Sequence, residues 1–186
     1  YIIITTFALK NGRFNSEKYP PKIFVFSPEL ITFATISNSL KLMYTLSIYL
    51  VRAILPIVAL FSKKIRLFVN GRKSVWATLS THLDPQARYV WVHTASLGEF
   101  EQGLPVIKAL RKQGYKVLVT FFSPSGYEVR KNTPDADIVV YLPLDTPANA
   151  RRFVQMVQPA MAVFVKYEFW WHYLSQLHKA NVPTYL

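Results

Sequence analysis

From residue 89 onward the chain alternates short apolar runs with helical patterns, and this alternation constrains the fold more than any other feature. Strand-like runs fall at residues 89–93, 116–121, 138–141, 161–165 and 184–186. Helical patterns fall between them, at about residues 99–113, 125–132, 147–158 and 169–180. Strands that alternate with helices argue for a parallel sheet covered on both faces. Residues 89–186 therefore read as an α/β unit with a Rossmann-like parallel sheet. Folds of this kind present their chemistry at the carboxyl edge of the sheet.

Composition narrows the class of partner. With 186 residues the chain is one domain with additions, or a piece of something larger. Its hydrophobic content of 51% is high for a purely soluble domain and points to a membrane-associated segment. There is no cysteine, so disulfides and thiolate metal sites are excluded, which fits a reducing compartment. The net charge of +12 suits anionic membranes, phosphorylated substrates or nucleic acid. Nucleic acid is the weakest of these, because the basic residues are spread among strands and helices with no recognisable nucleic-acid module.

The amino-terminal part is of a different kind. Residues 1–42 have no consistent period; short β-like runs are separated by Asn11-Gly12 and Tyr19-Pro20-Pro21. They read as sequence upstream of a start at Met43, or as an extra β-rich segment. The first residue is Tyr1 and the chain stops within the apolar run 182–186, so both ends look cut. Residues 43–62 are mostly apolar and sit near the lower length for a membrane span, about 17–25 residues. Thr45, Arg52, Pro56 and Lys63 share one helical face, which suits a helix lying in the interface or a tilted anchor; a core helix is the competing reading. Lys63, Lys64 and Arg66 follow and favour a cytoplasmic domain downstream. No small-residue cleavage site follows, which argues against a signal peptide. The expected organisation is an upstream segment at 1–42, a membrane-associated helix at 43–66, a connector with a short helix at 67–88, and the α/β domain at 89–186.

Three strand ends carry candidate chemistry. The first is Val92-His93-Thr94-Ala95-Ser96-Leu97-Gly98-Glu99. Small residues let a ligand approach the backbone, the helix start offers unpaired N–H groups and partial positive charge, and Glu99 is a candidate proton acceptor. Ser96 and Glu99 also match a capping box, in which Glu99 turns back to the backbone; the two roles compete. The second is Phe122-Ser123-Pro124-Ser125-Gly126, a possible anion cradle or an ordinary cap with Pro at the first helical position. The third is Val165-Lys166-Tyr167-Glu168-Phe169-Trp170, where two charges sit inside an aromatic run. A Lys166–Glu168 pair or ligand contact would account for them; a snorkelling lysine at an exposed edge is the alternative. Arg130-Lys131 and Arg151-Arg152 read as solvated surface or phosphate contacts. No spacing resembles a metal site.

Taken in order, His93-Thr94-Ala95-Ser96-Leu97-Gly98-Glu99, Thr120-Phe121-Phe122-Ser123-Pro124-Ser125-Gly126, Tyr141-Leu142-Pro143-Leu144-Asp145 and Lys166-Tyr167-Glu168-Phe169-Trp170 resemble the amino-terminal half of the 3-deoxy-D-manno-octulosonic acid (Kdo) transferases, lipid A glycosyltransferases of Gram-negative bacteria. The form looks closest to that of the Bacteroidetes, and the likeness covers residues 43–186. It implies the amino-terminal, acceptor-binding domain of a GT-B fold, with a carboxyl-terminal domain outside this chain binding the donor CMP-Kdo. The implied reaction is metal-independent and inverting, with no cofactor. Glu99 aligns with the family's catalytic base. Ser96, Gly98, Ser123, Ser125, Gly126, Lys166 and Glu168 are the expected acceptor contacts. Glu168 aligns with a second acid in a Glu-Leu-Trp-type motif, from which this chain departs as Glu-Phe-Trp. The implied partners are the lipid A precursor (lipid IVA) and the anionic surface of the inner membrane at its cytoplasmic face, and the fragment alone is expected to be inactive. Another GT-B transferase with a different acceptor, or a non-catalytic membrane-anchored binding module, are the rival readings.

Overall fold

The computed structural model describes residues 38–166 and 168–186. The reading of the upstream segment therefore lies outside the described residues, except for 38–42, which are helical. The elements are α1 (Asn38–Phe61), α2 (Lys63–Gly71), α3 (Val75–His82), β1 (Tyr89–Thr94), α4 (Leu97–Lys112), β2 (Lys116–Phe121), α5 (Pro124–Arg130), β3 (Ile138–Tyr141), α6 (Pro147–Val157), β4 (Met161–Phe164), α7 (Trp171–Lys179) and β5 (Thr184–Tyr185). All five strands are parallel, in the order β3-β2-β1-β4-β5. This is the α/β fold expected from the alternation of strands and helices.

The sheet is buried on both faces, each by its own set of helices. On one face, Val90, Val92, Val117, Val119 and Phe121 meet Phe100, Ile107 and Leu110 of α4. On the other, Trp91, Leu118 and Phe164 meet Leu79 of α3, Phe153 of α6 and Tyr173 and Leu177 of α7. Removing an apolar side chain of this size from water contributes about 1.5–3 kcal/mol, so these two layers supply the drive for folding. The strand order reverses at β1, whose neighbours are β2 and β4. A crevice opens outside the carboxyl ends of strands at such a reversal, and the three candidate loops follow β1, β2 and β4.

The amino-terminal helices differ from their expected bounds. Helix α1 begins at Asn38, ahead of Met43, and ends at Phe61. Ser62 breaks the helix, and its hydroxyl accepts from the Ile65 amide at 3.4 Å to start α2. Residues 67–88 carry more than a connector. Val75 and Leu79 of α3 are fully buried in the core, so this stretch forms part of the domain's helical layer. Helix α1 is long and apolar enough to cross a membrane, by length and composition. Leu50 is 62% exposed and Phe61 86%, so its apolar surface is not covered by the domain.

Candidate active site

Helix α4 opens at the end of β1, and Glu99 is its third residue. The glutamate turns back onto the backbone: Oε2 accepts from the amides of Ala95 and Ser96, the latter at 3.2 Å. A carboxylate at N3 that takes amides at the helix start fits the positive end of the helix dipole. Both N–H groups go to the same oxygen, so the capping box of Ser96 and Glu99 is formed through Oε2. Of the two competing roles, the cap is the one the structure shows, and it engages one of the two carboxylate oxygens.

The second loop is tied to the first. The amide of Ser123 donates to the carbonyl of Ala95 at 2.8 Å, joining the carboxyl ends of β1 and β2. Ser123 caps α5, its hydroxyl accepting from the Ser125 amide at 3.3 Å and lying 3.0 Å from the Ser125 hydroxyl. Gly126 has a packing reason. A Cβ there would lie 2.3 Å from Cδ1 of Phe121 and 3.0 Å from the Leu97 amide nitrogen, so only glycine lets α5 approach α4 so closely. Gly98 is different: it is exposed, and a Cβ would meet nothing within 4 Å. The space beside Gly98 is open to a ligand.

Below these loops runs a buried polar chain. His93 and Thr120 are fully buried and adjacent in register on β1 and β2. The indole N–H of Trp91 donates to Thr120 Oγ1 at 2.8 Å, and Nδ1 of His93 lies 2.8 Å from the same oxygen. On its other side, Nε2 of His93 accepts from the indole N–H of Trp170 at 3.1 Å. An indole can only donate, so the His93 proton sits on Nδ1 and is given to Thr120. Burial pushes the imidazole pKa down to about 3, so His93 is neutral at physiological pH. The Glu168 carboxylate, 4.0 Å from Nε2, therefore faces a neutral ring and forms no ion pair with it.

Glu168 sits at the other side of the crevice. Its pKa is raised, first by burial and then by the charge of Glu99, and the nearby Trp170 indole opposes this. The two acids lie close enough to feel each other, so the loops after β1 and β4 converge as expected. The Lys166–Glu168 ion pair does not form. Lys166 adopts a left-handed backbone (φ 68°), which turns the chain between the two residues. The Glu168 amide bonds to the Lys166 carbonyl at 2.9 Å, while the Lys166 side chain stays exposed and Glu168 turns to Trp170 and His93. A lysine in this conformation costs about 1–2 kcal/mol, and such strain gathers at functional loops.

Two residues that shape the site were not singled out in the sequence. Arg72 follows α2 and reaches the carboxyl edge, donating to the carbonyls of Leu142 (2.9 Å), Phe122 (2.8 Å) and Phe68 (2.9 Å). Its guanidinium stacks 3.5 Å from the Phe68 ring centroid. Burial lowers its pKa to about 9, which leaves it charged at pH 7. Asp145, 1% exposed, accepts from the amides of His172 and Tyr173, each at 3.0 Å, and from the Tyr44 hydroxyl at 2.6 Å. It thus caps α7 from a distance, which is why that helix starts at Trp171 and not at Phe169. Arg72 lies in the 67–88 stretch, which reads as a connector with a short helix and gives no sign of this reach. Asp145 lies in Tyr141-Leu142-Pro143-Leu144-Asp145 but has no local partner to reveal its role. The basic pair Arg130-Lys131 is used structurally: Arg130 Nε donates to Glu101 at 2.9 Å and Lys131 to Glu128 at 2.8 Å. Among the described residues no three His, Asp or Glu side chains gather to hold a metal ion.

Comparison with known proteins identifies relatives of this sequence. Residues 69–186 match the family described as 3-deoxy-D-manno-octulosonic-acid transferase (kdotransferase). The 3-deoxy-D-manno-octulosonic acid transferase of Aquifex aeolicus is 42% identical over 82 residues, covering 44% of this chain and 23% of that protein. Its counterpart from Haemophilus influenzae is 32% identical over 102 residues, 53% of this chain and 24% of that protein. A probable mitochondrial 3-deoxy-D-manno-octulosonic acid transferase of Arabidopsis thaliana is 33% identical over 89 residues, 46% of this chain and 20% of that protein. The aligned part of this chain thus spans a fifth to a quarter of the length of these relatives.

Proposed function

This chain belongs to the 3-deoxy-D-manno-octulosonic acid transferase family, and on that premise we propose that its full-length protein transfers Kdo from CMP-Kdo to a lipid A precursor, lipid IVA, during lipopolysaccharide biosynthesis. In this reading residues 89–186 form the acceptor side of the cleft. The donor binds a second domain outside this chain, and the protein works at the cytoplasmic face of the inner membrane. The exposed apolar surface of α1 and the basic residues after it support the membrane setting.

The observation that carries the proposal is the state of Glu99. Its carboxylate is held in one rotamer by two backbone amides through Oε2, which leaves Oε1 as the oxygen not committed to the cap. Oε1 takes the proton of an acceptor hydroxyl, and the freed oxygen attacks the anomeric carbon of Kdo. The bond from that carbon to the phosphate oxygen breaks, and CMP leaves with the electron pair. A fixed base within hydrogen-bond reach of the hydroxyl is worth about 10²–10⁴ in rate. Glu168 and Lys166 contact the acceptor sugar from the opposite loop. Ser96, Ser123, Ser125 and the open backbone at Gly98 receive its polar groups, with the helix starts favouring phosphate. Gly126 serves this surface by letting α5 close on α4.

The test is a product assay of the full-length protein with CMP-Kdo and tetraacylated lipid A precursor. Formation of a Kdo-bearing lipid supports the proposal. No transfer, in a preparation that is folded and membrane-bound, rejects it in favour of another acceptor or a binding role.

A further inference from the structure

One side chain joins the three strand ends that border the crevice. The indole N–H of Trp170, in the loop after β4, donates to Nε2 of His93 on β1 at 3.1 Å. Its ring lies 4.7 Å, centroid to centroid, from the ring of Phe122, which follows β2, at a tilt of 35°. Both supports are themselves fixed. Thr120 Oγ1 receives the Trp91 indole N–H and the His93 Nδ1 proton, each at 2.8 Å, so the buried imidazole is locked in one tautomer with Nε2 left to accept. The Phe122 carbonyl accepts from Arg72 at 2.8 Å, and the Phe122 ring meets Phe68 nearly edge-on, 5.2 Å between centroids.

The segment that this brace supports carries Glu168. Residues 168–170 belong to neither strand nor helix, and Lys166 before them has a left-handed backbone. The place of Glu168 is therefore set by turn bonds and side-chain ties, not by a sheet ladder. The Trp170 amide donates to the Glu168 carbonyl at 3.3 Å, which couples the two residues through the backbone. On the side-chain side, Glu168 Oε2 lies 4.0 Å from His93 Nε2, the atom that takes the indole N–H. His93 is neutral and its Nε2 is an acceptor, so it holds this carboxylate neither by charge nor by donating to it. The donor at this corner is the Trp170 indole, which also favours the charged form of Glu168.

We propose that Trp170 and His93 are positioning residues for the acceptor: the bond from the indole N–H to His93 Nε2, braced by Phe122, sets where Glu168 stands across the crevice from Glu99. This deepens the proposed function and rests on its reading of Glu168 as an acceptor contact. Trp170 and His93 act through Glu168, and His93, fully buried beneath the loops, serves only to hold the indole. Precision is what such a brace supplies, because a misplacement of about 1 Å at a positioning group costs up to about 10²-fold in rate. The bond also explains why a polar histidine occupies a fully buried place between two strands: its two nitrogens face one acceptor and one donor, and both are used.

The experiment is steady-state kinetics of Kdo transfer by the full-length protein, with the tetraacylated lipid A precursor and CMP-Kdo varied in turn. Trp170→Phe keeps a ring against Phe122 and removes the N–H; His93→Leu removes the acceptor atom. Each should raise KM for the lipid at least about fivefold and change KM for CMP-Kdo by less than about twofold. His93→Gln, whose amide oxygen can take the indole N–H, should return the lipid KM to within about threefold of the parent. In a Glu168→Ala background, Trp170→Phe should add less than about twofold, because the residue it positions is gone. Trp170 is only partly buried, so Trp170→Phe keeps the test open if His93→Leu does not fold. An unchanged lipid KM in a folded Trp170→Phe protein overturns the inference and leaves the proposed function intact. So does an effect of equal size with and without Glu168, which would make the brace a matter of stability alone, and so does a His93→Gln protein as poor as His93→Leu. A folded parent that transfers no Kdo overturns the proposed function, and this inference with it.

Discussion

The indole N–H of Trp170 donates to Nε2 of His93 at 3.1 Å, and this bond decides where the imidazole proton sits. With Nε2 accepting, Nδ1 carries the proton and gives it to Thr120. The loop that bears Glu168 is thereby fastened to the floor of the sheet by a neutral, fixed ring.

His93 should accordingly stay neutral while ordinary histidines titrate. In the unfolded chain the ring protonates near pH 6.5, and in the fold it does so near about 3. Between these values the unfolded state binds more protons, so the His93 contribution to stability is complete above pH 6.5 and is lost as pH falls towards 3. The window is worth up to about 5 kcal/mol. Unfolding midpoints in urea at pH 7.5 and pH 5 should differ more in the parent than in His93→Gln. Equal differences would contradict the assignment, as would a ring ¹⁵N shift at pH 5 typical of a charged imidazolium.

Asp145 should act in the opposite direction. Burial raises its pKa from 3.8 to about 6, although Tyr44 and two amides of α7 pull it down. The folded state therefore binds more protons between these values, and stability falls as pH rises through the window, by up to about 3 kcal/mol. The groups that act on it are the Tyr44 hydroxyl from α1 and the His172 and Tyr173 amides and the Tyr173 ring from α7, while Lys41 acts on His172 and Arg72 on Tyr173. On α6, Arg152 faces elsewhere, over the Trp76 ring. The stability advantage of the parent over Asp145→Asn should shrink from pH 4 to pH 6.5. An advantage that grows over that range would show that the carboxylate, not the acid, is favoured by the fold.

The two glycines of the helix starts should separate by kind. Gly126→Ala drives a methyl into Phe121 and should cost about 1–3 kcal/mol of stability. Gly98→Ala meets nothing and should leave stability unchanged, or raise it by up to about 1 kcal/mol. Its effect should be a raised KM for the acceptor. Thermal unfolding and steady-state kinetics on the two variants test this. A destabilised Gly98→Ala, or one with unchanged KM, would remove Gly98 from the acceptor surface.

Arg72→Lys should be poorly tolerated despite keeping the charge. The guanidinium satisfies three carbonyls from three nitrogens in a fork that one ammonium cannot reproduce. Each buried carbonyl left unpaired costs about 1–3 kcal/mol. A drop in unfolding free energy of at least about 2 kcal/mol is expected, and a neutral substitution would mean that water replaces the lost donors.

Much of this molecule was legible in its sequence, and the rest was hidden for identifiable reasons. The strand runs at Val117-Leu118-Val119 and Ile138-Val139-Val140 and the caps at Ser96 and Ser123 are local signals, so the sheet and most helix bounds followed directly. The start of α7 did not, because its cap, Asp145, is remote in sequence. The break at Ser62 falls where the apolar run 43–62 gives way to Lys63 and Lys64, and the expected helix segment 43–66 ran past it. At the site, Glu99, Ser96 and Ser123 were visible as cap chemistry, but which oxygen of Glu99 is committed depends on rotamer. The Lys166–Glu168 pair was expected from proximity in sequence and fails because of a left-handed residue that periodicity cannot reveal. Thr120, Trp170 and Arg72 act across 27, 77 and 70 residues, distances over which only the folded sheet brings groups together.

Glu99→Gln in the full-length protein is the most direct test of the account. The glutamine carbonyl can still accept from the Ala95 and Ser96 amides, so the helix cap and the unfolding midpoint should be preserved. With no carboxylate to take the acceptor proton, kcat for Kdo transfer should fall by about 10²–10⁴ with little change in KM. Turnover within about threefold of the parent, in a protein of unchanged stability, would show that Glu99 is only a cap and that the base lies elsewhere.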